Sequence, residues 1–254
     1  MILFGLKLSK VEDRLPANVK RTKSAFPEET QMMEFGLALL LDLTPILKDA
    51  EKDYGKKPGM LANCNLFARN IQLLPNAYSC LLGASYGTQF VILRTILENN
   101  NLMRYFTKNP QYAYEWFPRI IQKRFSKETQ LAYGKSGKES QTFYPASVRS
   151  DIFGTKGKVK QDIEKFYDRL CNYTHPNFPG WQELIDMKDK HEFIQTLPQF
   201  SPDYTYTAIG MTLYLTQYSF KTFTETFKGY ILPYALQLTK WQQDYLKMMV
   251  RYEE

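Results

Sequence analysis

The sequence contains few of the side chains that metal and redox sites require. Its 254 residues include two histidines, His175 and His191, and three cysteines without paired spacing, Cys64, Cys80 and Cys171. Two histidines cannot build a multi-histidine metal site, and an odd set of cysteines argues against a disulfide framework or a zinc site. We therefore predict no metal, no cofactor and reduced cysteines in a cytoplasmic protein.

Motifs of several common enzyme classes are also missing. The chain has no glycine-rich phosphate loop, no dinucleotide fingerprint, no HExxH and no Glu-x-x-His pair. No apolar run reaches the roughly 20 residues that cross a bilayer. The longest run, residues 35–47, is interrupted by Asp42, so we predict no membrane span.

The sequence does contain helical periodicity over most of its length. Apolar residues recur at intervals of three and four, and we predict separate helices over residues 60–73, 76–107 and 111–125, among others. Two short apolar pieces within residues 183–199 suggest one small β-hairpin. The predicted fold class is all-α, a helical bundle of about seven helices. We expect an irregular N-terminal arm over residues 1–26 and a single helical domain over residues 27–254.

A cluster of polar side chains marks the end of one predicted helix, residues 158–174. At about 100° per residue, Asp168, Asn172 and His175 share a face, and Arg169 lies to one side of Asn172. Pro176 follows at once, so the helix must end there. This helix end is the best candidate site in the sequence.

An earlier helix supplies a second polar pair. Arg94 and Glu98 are four residues apart on a face that is otherwise apolar, and we expect them to lie near the Asp168–His175 helix end. They could orient a functional site there, or they could simply tie two helices together.

Basic residues precede the same helix end. Residues 119–160 hold ten Lys or Arg against three Asp or Glu, and Arg149, Lys156, Lys158 and Lys160 are the predicted nucleic-acid contacts. Such a segment attracts a polyanion such as RNA. The alternative is an ordinary solvated surface.

The arginine, short spacer and histidine at a helix end resemble the HEPN superfamily, as in its uncharacterised prokaryotic members. The matching residues are Arg169-Leu-Cys-Asn-Tyr-Thr-His175, with Arg94 and Glu98 on a central helix, and the resemblance covers a core of about residues 75–227. It implies metal-independent RNA cleavage at the interface of a homodimer, with a toxin or defence role.

The same resemblance implies roles for individual residues. Arg169 would hold the phosphate, His175 would transfer protons and Asn172 would orient them, with Arg94, Glu98, Asp168 and Tyr173 in support.

One position departs from this pattern. Active HEPN members have Asn, Asp or His directly after the arginine, whereas Leu170 stands there in this chain. An alternative is a non-catalytic helical module that binds RNA, a nucleotide or a protein partner. A third possibility is structural, because His175 can cap a helix end and Arg169 can pair with Glu98.

Overall fold

The computed structural model of the protein describes residues 9–134, 143–154, 157–174, 185–188, 191–194 and 200–250. Most of these residues are helical. The α-helices are α1 Ser9–Ala25, α2 Pro27–Asp42, α3 Pro45–Asp49, α4 Pro58–Leu82, α5 Tyr86–Lys108, α6 Pro110–Trp116, α7 Arg119–Gln122, α8 Lys127–Tyr133, α9 Pro145–Phe153, α10 Lys158–Thr174, α11 Pro202–Thr226 and α12 Ala235–Val250. Two 3₁₀ turns, η1 Ala50–Asp53 and η2 Leu232–Tyr234, follow α3 and precede α12. Two short segments, β1 Ile185–Lys188 and β2 His191–Ile194, pair antiparallel, with Ile185 opposite Ile194.

Prolines set the starts of many helices. Six of the described helices begin at a proline: α2, α3, α4, α6, α9 and α11. The first helical residue has no intrahelical partner for its N–H, so proline loses nothing there and its fixed φ favours the helix. Because most of the described residues are helical, the all-α prediction is confirmed. The predicted count of about seven helices is not confirmed.

The predicted boundary between two central helices is wrong. Pro75 lies inside α4, which continues to Leu82, and the chain breaks at residues 83–85 instead. Ala84 adopts a left-handed φ of 59°, and Ser85 N donates to Cys80 O at 2.8 Å, which closes the helix end. Burial of Leu74 and other neighbours in the core offsets the cost of a proline inside the helix.

Two other sequence expectations also need correction. Ser9–Ala25 form a helix where an irregular arm is predicted, and Pro16 lies within it. The single helix expected over residues 111–125 is divided into α6 and α7, because Phe117 is extended and Pro118 precedes the second segment.

Helix α5 lies at the centre and contacts α4, α9, α10 and α11. A buried polar network joins three of these helices. Asn70 Nδ2 on α4 donates to Asn100 Oδ1 on α5 at 3.1 Å, and Asn99 Nδ2 donates to Asn70 Oδ1 at 2.8 Å. Asn100 Nδ2 in turn donates to Ser219 Oγ on α11 at 2.8 Å. Because buried amides must keep partners, these bonds fix the register of α4, α5 and α11.

Among the described residues, one stretch is long and apolar enough to cross a membrane by length and composition, Pro27–Asp53. Core helices of soluble proteins pass the same test. Within this stretch Met33, Leu40 and Leu43 are fully buried against the rest of the protein. The stretch therefore has a place in the helical core.

The contact between α2 and α12 depends on a glycine. A Cβ added at Gly36 would lie 2.8 Å from Nε1 of Trp241, which is closer than van der Waals contact allows. The indole is fully buried, donates to Met32 O at 3.2 Å and packs on the Phe220 ring at 4.9 Å. It cannot move aside without losing these contacts.

We expect Gly36→Ala to lower the free energy of unfolding by about 1–3 kcal/mol through overpacking. Gly210→Ala is the matched control, because Gly210 is also helical and an added Cβ meets nothing within 4 Å. That change should raise stability by about 0.5–1 kcal/mol through helix propensity. Urea denaturation measures both, and equal effects of the two substitutions would contradict the predicted clash.

Candidate functional site

Helix α10 presents two different faces to the rest of the protein and to solvent. Ile163, Tyr167 and Leu170 are buried against the bundle, at the spacing of three and four residues that defines one helical face. Lys165 and Arg169 are exposed. The predicted site at the end of α10 is therefore built on a helix whose rotation is fixed by its apolar face.

A closed set of polar contacts connects α10 to the central helix. Arg94 Nε donates to Glu98 Oε1 at 3.1 Å, and Arg94 Nη2 donates to the Tyr167 hydroxyl at 3.0 Å. The Tyr167 hydroxyl donates to Glu98 Oε1 at 3.0 Å. We call these three residues the Arg94–Glu98–Tyr167 triangle. Burial, followed by the Glu98 carboxylate, raises the pKa of Tyr167.

The triangle shows which partners Arg94 and Glu98 have. Their side chains are 25% and 30% exposed, so the pair is neither fully buried nor at the open surface. Glu98 pairs with Arg94 and Tyr167 rather than with Arg169, which lies on another face of α10. Arg94 and Glu98 thus tie α5 to α10, which is the structural role anticipated as an alternative.

Arg149 belongs to the interior and not to a basic surface. It is 5% exposed, its guanidinium lies 3.8 Å from the centroid of the Tyr167 ring, and its Nε donates to Glu164 Oε1 at 3.4 Å. The prediction that Arg149 is a surface contact for nucleic acid is therefore wrong. The cation instead stacks on an aromatic ring and pairs with a carboxylate, as a buried arginine requires.

The other predicted nucleic-acid contacts differ among themselves. Lys158 is exposed at the start of α10. Lys160 is half-buried, and its Nζ donates to Ser150 Oγ at 3.2 Å. Lys156 lies outside the described residues. The part of the basic segment nearest α10 thus offers fewer open cations than the sequence suggests.

Arg169 borders an apolar cavity of about 430 Å³ between α2, α10, α11 and α12. Glu29 is the other charged residue in its lining, and the aromatic part includes Phe26, Phe166, Tyr206 and Tyr214. The Phe166 and Tyr214 rings pack with centroids 4.9 Å apart. Within the described part of the chain, Arg169 takes part in no hydrogen bond or ion pair. This arrangement suits a ligand with a flat apolar part and a negative charge.

The structure leaves several predicted site residues without a description. His175 lies outside the described residues, as do the side chains of Asn172 and Tyr173. Asp168 is exposed on α10. Arg169 is thus the one predicted catalytic residue whose side-chain environment is described.

Sequence reasoning missed the central role of Tyr167. Its spacing from Ile163 and Leu170 is typical of a core residue, and the ring is indeed buried. The hydroxyl was the available signal, because a buried tyrosine hydroxyl needs a hydrogen-bond partner. Glu98 and Arg94, already singled out, provide it.

Comparisons with known proteins identify no relative. The chain matches no protein-family model, no curated protein and no solved structure. Within the described residues, no group of three or more His, Cys, Asp or Glu could hold a metal ion. A function for this protein therefore has to be inferred from its own side chains.

We expect Tyr167→Phe to lower the free energy of unfolding by about 1–2 kcal/mol, because it removes two hydrogen bonds to charged groups and keeps the ring. Tyr144→Phe serves as the control, since Tyr144 is 72% exposed, and should change stability by less than about 0.5 kcal/mol. The measurement is urea denaturation of both variants. Equal stability of the two would show that the triangle does not hold α10.

Proposed function

We propose that this protein acts on RNA at the C-terminal end of α10, as a metal-independent ribonuclease of HEPN-like type that works as a homodimer. The observation that carries the proposal is the exposed position of Arg169 beside an aromatic cavity, on a helix anchored to the core. Arg94 and Arg149 are each paired with a carboxylate, which makes them less available to a phosphate than Arg169. Arg169 is the arginine of α10 that an incoming strand can contact.

The cavity beside Arg169 supports RNA over a small inorganic anion. Tyr206 is 50% exposed and lines this cavity together with Phe166 and Tyr214. Bases of a single strand stack on such rings, while arginine contacts the adjacent phosphate. A strand could therefore place one base against the cavity and one phosphate on Arg169.

The proposed reaction needs a base, an acid and a cation. The His175 imidazole would take the proton of a ribose 2′-hydroxyl, whose oxygen then attacks the neighbouring phosphorus. The bond to the 5′-oxygen breaks, and that oxygen takes up a proton from a second acid group, such as His175 of the other copy. Arg169 would stabilise the negative charge on the phosphate oxygens. The products are a 2′,3′-cyclic phosphate and a free 5′-hydroxyl.

A specific observation favours a second candidate, an RNA- or nucleotide-binding module without cleavage. Leu170 is fully buried, so the position that carries a polar residue in active HEPN members faces the core of this protein. A polar side chain there could not reach the solvent-facing Arg169 side of α10. Binding through Arg169 would survive this difference, whereas cleavage requires other groups to replace the missing one.

We expect the wild-type chain to cleave single-stranded RNA, and Arg169→Ala and His175→Ala each to reduce the rate by about 100-fold or more. Lys165→Ala is the matched control, because Lys165 is an exposed cation one turn earlier on the same helix. Its rate should stay within about threefold of wild type. Gel analysis of end-labelled RNA, with a 2′-deoxy substrate as a blank, measures the rates.

The outcomes separate the two candidates. Equal cleavage by wild type, Arg169→Ala and His175→Ala would contradict the ribonuclease proposal. Salt-dependent RNA binding that Arg169→Ala weakens, in the absence of any cleavage, would establish the binding module instead. Absence of both activities at low ionic strength would remove RNA as the ligand of this site.

A further inference from the structure

A second cavity, here called the aromatic pocket, has no described residue of α10 in its lining. Its walls come from the turn between η1 and α4, from α4, and from the junction of α6 with α7 and the residues that follow α7. Its volume is about 570 Å³, and its aromatic lining residues are Tyr54, Trp116, Phe117 and Phe125. This volume is within the range of sites for small organic ligands.

Hydrogen bonds hold the walls of the aromatic pocket in place. Ser126 N donates to Gly55 O at 2.9 Å and joins the η1–α4 turn to the segment after α7. Gln122 Nε2 donates to Phe117 O at 2.8 Å and fixes the backbone beside the second wall. The pocket is therefore formed before any ligand arrives, so binding need not order its walls.

Basic residues are frequent on the segments that supply two walls of the aromatic pocket. Residues 52–57 and 115–128, which supply two of its walls, contain seven Lys or Arg against three Asp or Glu. Arg124 lines the pocket and is exposed, and Lys56, Lys123 and Lys127 are exposed on the same two segments. Arg124, the cation in the lining itself, favours a ligand with negative charge.

We propose that the aromatic pocket binds a nucleotide, with the base against its aromatic wall and the phosphate on Arg124. Flat rings stack on aromatic side chains whatever the base, and a guanidinium pairs with phosphate oxygens. Asn65 also lines the pocket and carries an amide that can meet a base edge. The nucleotide is either a free molecule or one unit of an RNA strand, and the recognition chemistry is the same.

This site does not depend on cleavage at α10. None of the residues proposed to cleave RNA lines the aromatic pocket, so a change in the pocket leaves Arg169 and its cavity intact. Loss of nucleotide binding in a pocket variant and loss of cleavage in an α10 variant are therefore separate results.

The test is calorimetric titration of the full chain at low ionic strength with AMP, adenosine, ribose 5-phosphate, octanoate and a hexa-adenylate RNA. AMP should bind at least about tenfold more tightly than either adenosine or ribose 5-phosphate, because adenosine lacks the phosphate and ribose 5-phosphate lacks the base. Arg124→Ala should weaken the binding of AMP by about tenfold and leave the binding of adenosine unchanged. Trp116→Leu should weaken both, since it removes part of the aromatic wall.

Arg21→Ala is the control, because Arg21 is an exposed arginine on α1 outside the pocket lining, and it should bind AMP within about twofold of wild type. Circular dichroism checks the fold of each variant. Should Trp116→Leu fail to fold, Arg124→Ala decides the test alone, because an exposed side chain is replaced.

Two results support the proposal and identify the source of the nucleotide. Hexa-adenylate binding that is more than about tenfold tighter than AMP binding, weakens steeply with salt and is itself weakened by Arg124→Ala indicates an RNA strand in the aromatic pocket. Comparable affinities indicate a free nucleotide. The proposal is overturned if neither AMP nor the RNA binds, if Arg124→Ala leaves AMP binding unchanged, or if octanoate binds more tightly than both.

Discussion

The orientation of α10 depends on the triangle of hydrogen bonds among Arg94, Glu98 and Tyr167. A salt bridge within one helix contributes little by itself when it is partly exposed. Here the Tyr167 hydroxyl joins the pair from another helix, donating to Glu98 and accepting from Arg94, so the contact also fixes how α10 lies on α5. Burial of Leu170 on the same helix then leaves Arg169 on the exposed side.

The basic residues that precede α10 serve two different parts of the molecule. Arg149 is an internal cation stacked on Tyr167, and Lys160 is tied to Ser150, so neither extends a surface toward the end of α10. The cations at residues 119–127 lie instead on the segment that supplies a wall of the aromatic pocket. A net charge counted along the sequence therefore does not locate a single binding surface.

Local sequence patterns predicted the all-α class, because apolar spacing and prolines at helix starts depend only on residues that are close together in the sequence. They failed where contacts distant in sequence decide the outcome. Pro75 reads as a helix start, but packing of α4 keeps it inside a longer helix, and Ala84 takes the left-handed conformation that sequence would assign to glycine.

In the candidate site, too, some features were predictable from local sequence and others depend on which helices pack together. The proximity of Arg94 and Glu98 to the later helix was predictable, because both are polar residues on an apolar face that needs partners. The bridging role of Tyr167 and the burial of Arg149 were not, since each requires knowing which helices pack together. The sequence shows that Leu170 replaces the polar residue that follows the arginine in active HEPN members. Only the structure shows that this position faces the core.

The most direct measurement of the central claim is a crystal structure of the chain with an RNA oligonucleotide that carries 2′-deoxy sugars and cannot be cleaved. We expect a phosphate within hydrogen-bond distance of the Arg169 guanidinium, the neighbouring base against the cavity lined by Tyr206 and Tyr214, and His175 beside the 2′ position. A strand bound elsewhere on the protein, with no phosphate at Arg169, would contradict it.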